Sequence, residues 1–195
     1  MASHTLSFPI SDPQEILKLR AGDEVTVQGH IIGIRDRTQI RIFDQHVEPP
    51  MNLEGAMLLH TAPNVRKLAD GSYEKICIGT TTSARMVRFT EPLGSQYGVR
   101  AICGKGGFPD QAIAPMQQLG MVYLAIVGGA AALETTQIEA IEDVAWEDLM
   151  PECLWTFRVK DFGPLTVGID AHGNSLYHDI QTQAQTKLEE IIARF

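Results

Sequence analysis

Three places in this chain gather hydroxyls, cations and glycines, each directly after an apolar run. Gly79-Thr80-Thr81-Thr82-Ser83-Ala84-Arg85-Met86 follows a strand-like segment at 75–78 and precedes Val87 and Phe89. Thr and Ser there fit a helix start, where unpaired N–H groups and the positive end of the dipole attract anions. Arg85, one turn on, would add a two-pronged grip on a carboxylate that lysine cannot match. The same residues also fit a plain capping turn with a solvated arginine. Gly104-Lys105-Gly106-Gly107 follows the apolar run 99–103. Its glycines let the backbone approach a ligand while Lys105 supplies charge, although a tight turn explains it equally well. Arg35-Asp36 closes the third run, with Arg37 and Arg41 beyond it. A structural salt bridge is the plain reading of Arg35, but three cation-bearing strand ends make a dicarboxylate or other small acid the economical ligand.

The elements that must position these residues alternate between β-branched runs and amphipathic stretches, which predicts an α/β protein. Ser11 and Pro13 ahead of Ile16 and Leu17 read as the start of a brief helix. Runs at 24–34, 75–78, 99–103 and 121–127 read as strands, and 130–141 as a helix after the Gly128-Gly129 turn. Near the end, 154–159 and 165–169 read as antiparallel strands about a Gly163-Pro164 turn, followed by a second turn at 171–174. Residues 180–195 read as a helix docked on the sheet through Leu188, Ile191 and Ile192. The whole chain, 1–195, is expected to form one domain.

Composition narrows the function. Sixteen Lys+Arg against 24 Asp+Glu give a net charge of −8, so nucleic acid is not an expected partner. The most apolar window, 121–133, is too short for the roughly 20 residues of a membrane span, and no secretion signal opens the chain. Cys77, Cys103 and Cys153 are odd in number, widely spaced and set among apolar residues, which points to reduced core thiols in a cytoplasm. Three thiolates can hold a four-iron cluster, but no short Cys-x-x-Cys spacing supports one here. The six histidines show no zinc-type pairing.

The order GTTTSARM, GKGG, VGGAAAL and PECLWTFRVKDFGPLTVGIDAHGNSL, with AGDEVTVQGHIIGIRD near the start, resembles the β subunit of iron–sulfur class I fumarate hydratase and L-tartrate dehydratase. The resemblance runs from about residue 9 to 176. It implies a single swivelling β/β/α domain with a mixed sheet and flanking helices. It also implies a cytoplasmic hetero-oligomer in which a separate α subunit holds a [4Fe-4S] cluster whose open iron acts as Lewis acid on the substrate. By position, Thr81 matches the catalytic base, Lys105 the active-site lysine, and Arg35 and Arg85 the substrate-binding arginines. The expected activity is reversible hydration of fumarate to malate, or dehydration of a related hydroxy-dicarboxylate such as L-tartrate. Thr80 stands where such proteins usually have Pro, Gln39 where they have His, and Ala62 where they have Gly. Two other readings remain: a non-catalytic carboxylate-binding or regulatory module, and a standalone acid–base enzyme using Lys105 or His60.

Overall fold

A computed structural model describes residues 1–129 and 131–193. Strands β1 (Ser3–Phe8) and β2 (Glu24–Ile34) run parallel, joined through the one-turn helix α1 (Gln14–Leu17). β2 passes directly into α2 (Asp36–Phe43), and β3 (Met57–His60) returns beside it. A small hairpin of β4 (Asn64–Lys67) and β5 (Tyr73–Cys77) precedes a 3-10 helix at Ala84–Phe89 and α3 (Thr90–Tyr97). Then come β6 (Ala101–Gly104), α4 (Ile113–Leu119), β7 (Val122–Ala125), α5 (Ala131–Gln137), β8 (Ile138–Ala145), β9 (Leu154–Ile169) and α6 (Leu176–Ile192).

The main sheet is mixed. β2, β3, β6 and β7 are parallel, whereas β9 pairs antiparallel with β7, β8 and β2. Because β9 meets both β7 and β2, the pairings β2-β3-β6-β7-β9 close into a ring. Successive side chains alternate between its two faces. Met57 and Leu59, Ala101 and Cys103, and Val122 and Leu124 join one core cluster with Trp155 and Phe157 of β9. Ile32, Leu58, Ile102 and Tyr123, which pair in turn across the parallel strands, join a second cluster with Met86, Leu93 and Met116 from the helical segments. Strands buried on both faces account for the near-continuous apolar runs in the sequence. The result is one mixed α/β domain with flanking helices, and among the described residues no helix is long and apolar enough to cross a membrane.

Several expectations need correction. The helix expected at 130–141 is α5 alone; from Ile138 the chain is strand β8, and Ala130 lies outside the described residues. Ile138, Ala140 and Ile141 pair with β9, so tertiary pairing overrides the helical spacing. The two strands expected about Gly163-Pro164 are one continuous 16-residue strand, β9. Shifts in its register against β2 accommodate the glycine and proline without a turn. Helix α6 begins at Leu176, and Leu188, Ile191 and Ile192 are exposed, so it meets the sheet not through them but at its start, where Tyr177 packs against Tyr123 of β7 with ring centroids 6.2 Å apart. Arg194 and Phe195 lie outside the described residues. The start of α1 is held by Asp12, whose Oδ1 accepts from the Gln14 amide at 2.9 Å, and Ser11 makes no cap. Cys103 and Cys153 are buried, but Cys77, expected in the core, is exposed at the end of β5.

Candidate active site

The parallel direction of β2, β3, β6 and β7 brings their carboxyl ends to one end of the sheet, where Arg35, Thr61 and Lys105 follow β2, β3 and β6. The segment from Thr80 to Thr82 crosses that end, bridging in turn to the residues that follow β3 and β6. Thr80 bridges to Thr61 and Thr82 bridges to Lys105. The Thr81 amide donates to the His60 carbonyl at 2.7 Å, and the Lys105 amide donates to the Thr81 carbonyl at 3.3 Å. Ser83 donates its amide to the Lys105 carbonyl at 3.2 Å. Thr81 therefore sits between the ends of β3 and β6. Gly104 permits this closeness, since a Cβ there would lie 1.8 Å from Ser83 Oγ.

This arrangement differs from the expected helix N-terminus. The helix that follows is 3-10, and Ser83 makes no side-chain cap to it. The amides of Thr80, Thr81 and Ser83 are all bonded within the protein. Those three amides are not free to hold an anion.

Arg85 is already engaged. Its Nε donates to Asp36 Oδ1 at 2.9 Å and its Nη2 to Asp36 Oδ2 at 2.7 Å, while Nη1 reaches the Thr82 carbonyl at 2.8 Å. Nη2 also lies 3.2 Å from Thr81 Oγ1. Arg35, the residue before α2, points its Nε at Asp36 Oδ2, 3.3 Å away, and at Glu152 Oε1, 3.7 Å away. Partial burial works against the Asp36 charge, but the bonds from Arg85 and Arg35 outweigh it and hold the carboxyl below its usual range. Lys105 makes no side-chain hydrogen bond or ion pair with the described residues. Its stem packs near Gly128, where a Cβ would come within 3.4 Å of Lys105 Cδ.

The structure thus brings Arg35, Thr81, Arg85 and Lys105 to one end of the sheet. A hollow of about 430 Å³ lined by Gly107, Phe108, Asp110 and Tyr177 lies beyond the glycine turn and includes none of the four. Residues 6–180 match the model of the family described as Fumarase C-terminus. The chain belongs to that family. It is 38% identical to the L(+)-tartrate dehydratase subunit beta of Escherichia coli, over 88% of this chain and 85% of that protein. A Methanocaldococcus jannaschii protein provisionally named as the same subunit is 35% identical, over 92% and 94% of the two chains. A Geobacillus stearothermophilus protein provisionally named fumarate hydratase class I is 36% identical over 95% of this chain, which corresponds to 36% of that longer protein.

Within this fumarase C-terminus domain, two ionisable residues at the site stand differently from the sequence reading. His60 is buried, with Nδ1 2.9 Å from Ser83 Oγ and Nε2 unpartnered. Burial lowers its pKa to about 3, Asp36 opposing and Arg85 adding to the shift, so the ring is neutral. It is shut off from a solvent-facing acid–base role. Glu134 on α5 was missed. It is 2% exposed, and its Oε2 accepts from the Thr80 amide at 3.2 Å. Burial pushes its pKa up to about 6, against the Thr80 bond and the Lys105 charge. The missed signal was a lone acid among Ala, Leu and Thr on a segment too short for a clear helical face. Among the positions that depart from the family pattern, Gln39 is fully buried, donating to Met86 Sδ at 3.0 Å and to the Arg35 carbonyl at 3.4 Å. It thereby supports the backbone that carries Arg35. Nothing in the structure explains alanine at 62.

Proposed function

We propose that this chain is the β subunit of a cytoplasmic, hetero-oligomeric hydro-lyase that acts with a separate α subunit. The reaction is addition of water to fumarate, or its removal from a hydroxy-dicarboxylate such as malate or L-tartrate. The observation that carries the reading is the meeting of Thr81, Arg85, Arg35 and Lys105 at the carboxyl ends of β2, β3 and β6. The names of the relatives agree with it. Arg35 and Arg85 bind the substrate carboxylates, whose planar two-oxygen geometry suits a guanidinium. A substrate carboxylate competes with Asp36 for the same edge of Arg85. Thr81 takes the C3 proton. A neutral hydroxyl is a poor base, and the Arg85 N–H directed at its Oγ1 favours the alkoxide. Lys105, beside Thr81 and without a side-chain partner among the described residues, is the second catalytic residue and stabilises negative charge as it develops.

The [4Fe-4S] cluster implied by the resemblance does not fit this chain's own residues. Among the described residues no three His, Cys, Asp or Glu side chains converge on a metal-sized space, and the three thiols are divided between core and surface. We assign the cluster to the α subunit and derive no step through it. Val127 and Leu133 are exposed beside the Lys105 turn, an apolar margin suited to cover by that subunit.

Co-expression with a cluster-bearing α subunit, anaerobic purification and assays on fumarate, malate, tartrate and mesaconate test the reading. The complex is expected to turn over at least one of them and the chain alone none. A complex that binds a dicarboxylate and turns over none would replace the enzyme with a carboxylate-binding module.

A further inference from the structure

The Thr80–Thr82 segment has partners on two sides. β3 and β6 hold it from below through backbone bonds, and α5 holds it from the side through two consecutive side chains. Thr135 Oγ1 accepts from the Ile78 amide at 2.8 Å, and Glu134 Oε2 accepts from the Thr80 amide at 3.2 Å. These two acceptors take alternate amides of the chain, as a neighbouring strand would. A threonine hydroxyl suffices for the first. A buried carboxylate for the second is costly unless its charge is used. The groups facing Glu134 show where that charge acts. Lys105, after β6, lies within its field, and the Cys103 thiol on β6 is pushed well up by burial with the Glu134 charge adding. Lys75 on β5 is committed to the carbonyls of Thr135 and Ile138. From β9 the wall is Gly163 and Pro164, and Gln137 of α5 bonds Gly163. Lys105 is thus the one cation among these groups that has no other partner.

We propose that Glu134 is a positioning residue for the Thr81–Lys105 site: it clamps the segment carrying Thr81 at the Thr80 amide. The inference rests on the function proposed above for Thr81 and Lys105. Proline at position 80 would have no N–H to offer, so the clamp needs a residue such as threonine there. Ionised, Glu134 is the stronger acceptor for the Thr80 amide; protonated, it is a weaker one. The site is therefore set at and above neutral pH and loosened below about pH 6.

The test has a spectroscopic arm on the full chain and a kinetic arm on the αβ complex. In the amide spectrum of the full chain the Thr80 resonance is expected to titrate with a midpoint near pH 6, and Glu134→Gln is expected to abolish that titration. In the complex, Glu134→Gln is expected to lower kcat, by up to about 10²-fold for a misplaced catalytic group, with a smaller change in KM, and Glu134→Asp to restore part of the loss. A wild-type Thr80 resonance flat between pH 5 and 7, or Glu134→Gln with wild-type kcat and pH profile, overturns the proposal. If the wild-type complex turns over no dicarboxylate, the functional reading fails, while the spectroscopic arm still decides whether the clamp exists.

Discussion

The two sides of the site solve the same electrostatic problem in opposite ways. On the Arg85 side, Asp36 stands between two guanidinium groups with its side chain 29% exposed, and its carboxyl is held below the usual range. On the Lys105 side, Glu134 is buried, its pKa is raised to about 6, and the lysine makes no direct pair. Solvent access makes the difference. Asp36 keeps water and gains two-pronged bonds, so its charge is cheap and the arginine arrives satisfied. Glu134 gives up water for one amide bond and a distant cation, so its charge is held at a cost. On the function proposed above, a substrate displaces a carboxylate from Arg85 but meets a Lys105 ammonium that has no partner among the described residues.

The largest test of this contrast is at Thr81, which lies between the two sides. Thr81→Ala in the αβ complex is expected to lower kcat by about 10²–10⁴-fold, the range typical of a lost general base, with substrate binding largely kept. Steady-state kinetics check it. If turnover survives there and is abolished by Lys105→Ala in a folded complex, the proton acceptor is on the lysine side. Arg85→Lys comes next. It removes the two-pronged contact and keeps the charge, so the loss is expected mainly in binding, about 1.5–3 kcal/mol read as a rise in KM or Kd.

Much of this site was legible because its residues follow strands directly: Arg35 after 24–34 and Lys105 after 99–103 had fixed places once the strands were found. The segment GTTTSAR was legible in its chemistry and not in its geometry. Its Thr and Ser residues read as caps, yet its amides are spent on β3, β6 and α5, contacts that depend on long-range pairing. Helix α2 was passed over because Asp36–Phe43 carries four charged or amide residues in eight. β8 was hidden because Ala, Leu and Ile at helical spacing satisfy a strand edge as well as a helix, and only pairing with β9 decides. Glu134 was invisible for a related reason: a single acid in sequence says nothing about its burial, and burial is what makes it unusual.

Stability offers the third test, in the full chain without its partner. Glu134 has a folded pKa of about 6 against an ordinary 4.5, so the fold prefers the protonated form. Below pH 4.5 both folded and unfolded states are protonated and nothing is lost. As pH rises through 4.5 to 6 the unfolded state ionises first, and above pH 6 the penalty is complete, about 2 kcal/mol by linkage. Glu134→Gln is therefore expected to raise unfolding stability by about that amount at pH 8 and by nothing at pH 4, in urea or thermal melts at the two pH values. A variant more stable and less active at neutral pH would mark the carboxylate as kept for the site at the expense of the fold.

Asp36 gives the smallest effect and the opposite sign. Its folded pKa lies below the unfolded one, so its contribution is present above the ordinary aspartate range and disappears as pH falls through the folded value. Because the pair with Arg85 is partly solvated, Asp36→Asn is expected to cost at most about 1 kcal/mol of stability at neutral pH. High salt should shrink that difference, since ions screen a pair at the surface and leave a buried carboxylate such as Glu134 nearly untouched. The same substitution removes the competitor for Arg85, so KM for a dicarboxylate in the αβ complex is expected to fall while stability also falls. Melts at low and high salt, set beside KM, separate the cases. A stability loss that salt does not diminish would mean that Asp36 acts through its place in the first turn of α2, and an unchanged KM would mean that the substrate does not take its position on Arg85.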